Sequence, residues 1–65
     1  MKLNTQPNLV DPDAVYARII ALHENRSDED SARINARLIL LLANHIGDEA
    51  VIHEAIALAG QEKIS

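Results

Sequence analysis

The chain of 65 residues has no cysteine, two glycines, two prolines and no unbroken apolar run longer than six residues. Each shortage removes a class of explanation. Without cysteine, neither disulfides nor thiolate metal sites can staple the fold, and a reducing compartment suits the composition. No apolar run approaches the roughly 18–20 residues that cross a bilayer. The opening MKLNTQPNLV also lacks the apolar stretch of a secretory signal. The sequence therefore predicts a cytoplasmic protein with no membrane partner. Basic residues are scarce too, six Lys and Arg against ten Asp and Glu, for a net charge of −4. Only Arg33 and Arg37 share a helix face, which argues against nucleic acid, because binding phosphates needs clustered cations.

A single core of this size seldom supplies more than roughly 3–5 kcal/mol without disulfides, metal or association with other chains. With cysteine absent, oligomerisation is the staple that remains.

The residues that are present divide the chain into an arm and three helices, an all-α class. Residues 1–10, with Pro7 and scattered Leu3, Leu9 and Val10, have no helical period and are read as an extended N-terminal arm. Residues 11–60 form the three-helix domain, and 61–65 a frayed tail. Helix one starts at DPDAV, with Asp11 as N-cap and Pro12 at the first helical position, where its missing donor costs nothing; it is expected to run to about Asn25. Ser27, with Asp30 three residues on, matches a capping box that opens helix two, which continues to Ile46. Gly47 suits the left-handed position after a helix. Asp48 then caps helix three, which ends before Gly60. The acidic residues Asp11, Asp13, Asp28, Glu29, Asp30, Asp48 and Glu49 thus collect at helix starts, where they complement the macrodipole.

Turning the helices at roughly 100° per residue separates their faces. Helix one puts Val15, Tyr16, Ile19, Ile20 and Leu22 on one side, and helix three does the same with Val51, Ile52, Ala55, Ile56, Leu58 and Ala59. Helix two differs, because apolar residues occupy nearly everything except a strip of Arg33, Arg37 and Asn44. Such a helix needs cover on most sides. Helices one and three can hide about half of it, and the remainder would leave an apolar patch larger than soluble monomers usually expose. The expected cover is a second copy, giving a homodimeric helical bundle with Asn35, Leu38, Ile39, Leu42 and Ile46 at the seam. The alternative is a monomer closed by the arm through Leu3, Leu9 and Val10. Asn35 sits inside the apolar arc and needs partners, either its own copy across a two-fold axis or a loop or cap within the chain. The Arg33, Arg37 and Asn44 strip is a solvated face or a contact for an acidic partner.

No catalytic residue, cofactor site or metal site emerges. His23, His45 and His53 lie on different helices without ligand spacing. Ser27, Ser31 and Ser65 lack companion motifs, and both glycines are used as helix ends, which leaves no phosphate-cradling loop. The chain is read as a non-enzyme. Its expected role is helical protein–protein interaction, with a homodimer and a larger enzyme as partners. Two alternatives stand beside it. One is a small helix-turn-helix regulator, since ANHIGDEAVIHEAI has that order, although its second helix presents Glu49, His53 and Glu54 and no Arg or Lys. The other is carriage of an apolar ligand in the dimer seam.

The segments NLVDPDAVYARIIALHE and INARLILLLANHIGDEAVIHEAIALA together resemble a family of short uncharacterised proteobacterial proteins, domain of unknown function twenty-seven eighty-three. The resemblance implies an accessory role near flavin-dependent aromatic hydroxylases and other catabolic enzymes. It brings no catalytic residues with it.

Overall fold

The computed structural model describes residues 2–61 and contains three helices, with no strand among the described residues. These are α1 (Pro12–Leu22), α2 (Asp28–Ile46) and α3 (Glu49–Ala59).

Each helix starts where its cap dictates. Asp11 Oδ1 accepts from the Ala14 N–H at 3.1 Å, Ser27 Oγ from Asp30 N–H at 3.1 Å, and Asp48 Oδ1 from Val51 N–H at 3.3 Å. Each bond satisfies an amide that the first turn leaves without an intrahelical acceptor. Only half of the reciprocal capping box forms at Ser27, because the Asp30 carboxylate accepts from Arg33 at 3.2 Å instead. Gly47 ends α2 with φ 68°, and its N–H reaches the Ala43 carbonyl at 2.9 Å. That left-handed backbone is open to glycine without steric cost.

α1 is shorter than the expected run to Asn25. It stops at Leu22 because the chain turns there. Asn25 adopts φ 57°, and the Arg26 Nε donates to the Leu22 carbonyl at 2.7 Å, occupying an acceptor that a further helical turn would use. The other two helices have the expected boundaries. The expected frayed tail lies outside the described residues beyond Gln61.

α2 and α3 are the only two helices whose backbones approach closely, and their contact holds the one buried apolar side chain among the described residues, Val51 at 6% exposure. α1 approaches α2 near its end, where His23 bonds Asn35 and Leu22 lines an open cleft with Ile34, Leu38 and Leu41. The resulting shape is open. Its radius of gyration is 13.6 Å, where about 10.7 Å is usual for a compact domain of this length. Its accessible surface is 6139 Å², where roughly 4,100 Å² is usual for a folded monomer of 7.1 kDa.

Residues 2–10 contain neither helix nor strand. Leu3 lines the α2–α3 groove, and Leu3 and Thr5 line a second cleft along α3 beside Ala57 and Leu58, but Leu9 and Val10 are exposed, so this segment covers only part of the apolar surface.

Candidate interaction surface

The surface of interest is built from α2. Its run Leu38–Ala43 was placed by periodicity on nearly every side of the helix, and the structure shows what each side meets. Toward α3, Ile39, Leu42, Ala43 and Ile46 form one wall of a groove of about 300 Å³, and Val51, Ile52, Ala55, Ile56 and Ala59 form the other. No polar side chain lines it. The opposite flank, toward the end of α1, carries Ile34, Leu38 and Leu41 beside Arg26 and Arg37.

Neither flank is closed. Ile39 is 62% exposed and Leu41 68%, and Leu40, Leu42 and Ile46 on α2 and Ile56 and Leu58 on α3 are also exposed. On α1, four of the five residues of the predicted inner face, Val15, Tyr16, Ile19 and Ile20, are exposed, at 38% to 65%, and Leu22 is half-buried. Water-exposed apolar area on this scale is characteristic of a binding surface, since isolated soluble domains seldom keep patches beyond a few hundred Å².

Of the five residues assigned to a seam, the structure brings Ile39, Leu42 and Ile46 together in the groove and sets Leu38 on the other flank. Asn35 lies one turn before Ile39, within about 40° of Ile39, Leu42 and Ile46 around the helix. Its Oδ1 accepts from His23 Nε2 at 3.1 Å, which requires the imidazole proton on Nε2. His23 is the residue that closes α1, so within one chain Asn35 has a partner of the second kind considered for it, a cap. The bond ties the end of α1 to the middle of α2.

The polar strip is partly self-paired. Arg33 bonds Glu29 at 2.8 Å and Asp30 at 3.2 Å, one helical turn back, in pairs that are more than half exposed and contribute only a few tenths of a kcal/mol. Arg37 lies beside them, and Arg26 joins both arginines around a shallow cleft with Asp30 and Ile34. Arg26 was not singled out in the sequence. It precedes the α2 N-cap, where a helical wheel has no meaning, and its place in this cluster follows from the turn. Asn44 lies further along the same strip and is exposed.

Among the described residues, no group of three or more His, Cys, Asp or Glu side chains could hold a metal ion, and no helix is long and apolar enough to cross a membrane.

A family model described as protein of unknown function, DUF2783, matches residues 3–61 of the chain. Comparison with curated proteins and with solved structures gives no match.

Proposed function

The chain belongs to the DUF2783 family, and from its surface we propose that it is a small non-catalytic interaction protein whose first partner is a second copy of itself. The observation that carries this reading is the mismatch between buried and exposed apolar residues. Val51 alone is buried among the described residues, while long apolar side chains on all three helices face water. The surface in excess of a compact monomer is about 2,000 Å² per chain, and two such surfaces placed together fall within the 2,000–5,000 Å² that obligate dimers bury. A two-fold pair is the commonest closed assembly, and it would turn the open groove into a core.

In this reading the dimer serves a larger enzyme, of the flavin-dependent aromatic-catabolic kind that the family resemblance implies, and acts in the cytoplasm. The Arg26, Arg33 and Arg37 cluster is the surface left to meet an acidic region of that enzyme. The helix-turn-helix alternative has less support, because α3 contains no Arg or Lys to reach phosphates or bases.

Sedimentation equilibrium over a range of concentrations tests the dimer. The expected result is a folded species of twice the chain mass at micromolar concentration. A folded species of single-chain mass under those conditions would overturn the proposal.

A further inference from the structure

We propose that the α2–α3 groove of one chain is filled by α1 of the second copy, and reciprocally, so that the dimer is interlocked instead of side by side. This rests on the dimer reading above and adds which helix occupies which surface.

Three features point to this exchange. The first is that α1 has a face and no place to put it. It is capped and amphipathic, yet Val15, Tyr16, Ile19 and Ile20 are exposed, and a helix of eleven residues is marginal in water without packing.

The second is fit. The groove is apolar throughout, and its α2 wall runs from Ile39 to Ile46. The exposed apolar run of α1, Val15 to Ile20, spans about 7.5 Å and fits within that wall of about 10.5 Å. A helix laid between α2 and α3 completes a three-helix bundle with one continuous core.

The third is the turn between α1 and α2, which holds α1 away from its own groove. The Arg26 Nε bond to the Leu22 carbonyl, the His23 bond to Asn35, and the left-handed Asn25 fix the chain direction there. Half-buried Leu22 thereby lines a cleft with Ile34 and Leu38, a flank about 100° around α2 from Ile39 and Ile46 at the rotation of a regular helix. Closing α1 onto its own groove would require giving up these contacts. A second copy needs no such change.

Symmetry selects this arrangement over groove against groove. Apposing two α2–α3 grooves would cover them and leave both α1 faces bare, whereas reciprocal exchange covers all four surfaces with one operation. Folding and association then become a single step.

The test uses the unmodified chain. A mixed dimer is prepared by unfolding and refolding isotope-labelled and unlabelled protein together, and isotope-filtered NOEs are recorded. The expected result is interchain NOEs from the methyls of Val15, Ile19 and Ile20 to those of Leu42, Ile46 and Ile56. Interchain NOEs confined to α2 and α3 would overturn the exchange while leaving the dimer in place. NOEs between α1 and the groove found only within one chain would also overturn it, and single-chain mass in sedimentation would remove both proposals. Since the chain has no cysteine, single Ile19→Cys and Leu42→Cys variants, mixed, refolded together and oxidised, give an independent readout. In an equimolar mixture the mixed disulfide should exceed the twofold excess over either same-residue product that random pairing gives, because only thiols on neighbouring backbones can join. A random one-to-two-to-one distribution, or same-residue products in excess, would count against the exchange.

Discussion

α1 and α3 are each eleven residues long, each begins at an aspartate N-cap and each has one broad apolar face, yet α3 lies against α2 and α1 stands away from it. Local sequence grammar does not explain the difference. The connections do. Between α2 and α3 only Gly47 and Asp48 intervene, so the left-handed glycine turns the chain sharply and the aspartate restarts the helix at once. The returning helix has no room to diverge, and Val51, in its first turn, is pressed against α2. Between α1 and α2 five residues intervene, 23–27, and they are braced by the bonds of Arg26 and His23. A braced longer turn sets its own exit angle, and here that angle leaves the α1 face in solvent. Helix formation and helix packing are therefore separable in this chain.

The sharpest way to break the comparison is to charge the groove that α3 helps to build. Leu42→Glu should abolish the proposed dimer in sedimentation and most of the helical circular dichroism. A carboxylate sealed into an apolar seam costs several kcal/mol, comparable to the whole roughly 3–5 kcal/mol available to a domain of this size. Arg37→Glu, on the strip, should leave both measurements near those of the parent chain. Equal behaviour of the two variants would show that the groove is not the seam.

A smaller effect is expected at the α2–α3 contact itself. Val51→Ala removes two methyl groups from the one buried apolar site among the described residues, and urea unfolding should show a loss of about 2 kcal/mol. A loss of only a few tenths would mean that the contact seen within one chain is not where stability resides.

The caps then sharpen the comparison between the two short helices. Asp48→Ala and Asp11→Ala should each lower unfolding stability by about 1 kcal/mol. If α1 remained unpacked in the associated protein, losing its cap would leave the global transition untouched. Matching costs place α1 inside the same cooperative unit as α3, and a zero cost at Asp11 would separate them.

The smallest change is expected on the polar strip. Replacing Arg33 and Arg37 together with glutamine removes exposed pairs one turn apart and should shift stability by only a few tenths of a kcal/mol. Recovery of a larger partner by affinity capture should fall with the same variant. Undiminished recovery would remove the arginine cluster as the contact.

Much of the fold was legible in the residues. Asp11, Ser27 and Asp48 marked the three helix starts, and Gly47 marked the turn, because a cap acts within three or four residues and needs no distant partner. The early end of α1 was not legible. His23, Glu24 and Asn25 fit a continuing helix, and what stops it is Arg26 folding back onto the Leu22 carbonyl. The grouping on α2 was legible only in part. A wheel gathers Ile39, Leu42 and Ile46, which line one groove with α3, but the expected seam also included Leu38, which is close in angle to Leu42 alone and lines a different cleft, beside Leu22.

The amino-acid order alone was enough to specify three helices, their caps and the surplus of apolar surface on the middle one, since these follow from spacings of three, four and seven residues along the chain. It was not enough to say which of those surfaces meet. That depends on the angle at which each helix leaves its turn, and the angle between α1 and α2 is held by a bond between His23 and Asn35, twelve positions apart, that exists only once both helices have formed.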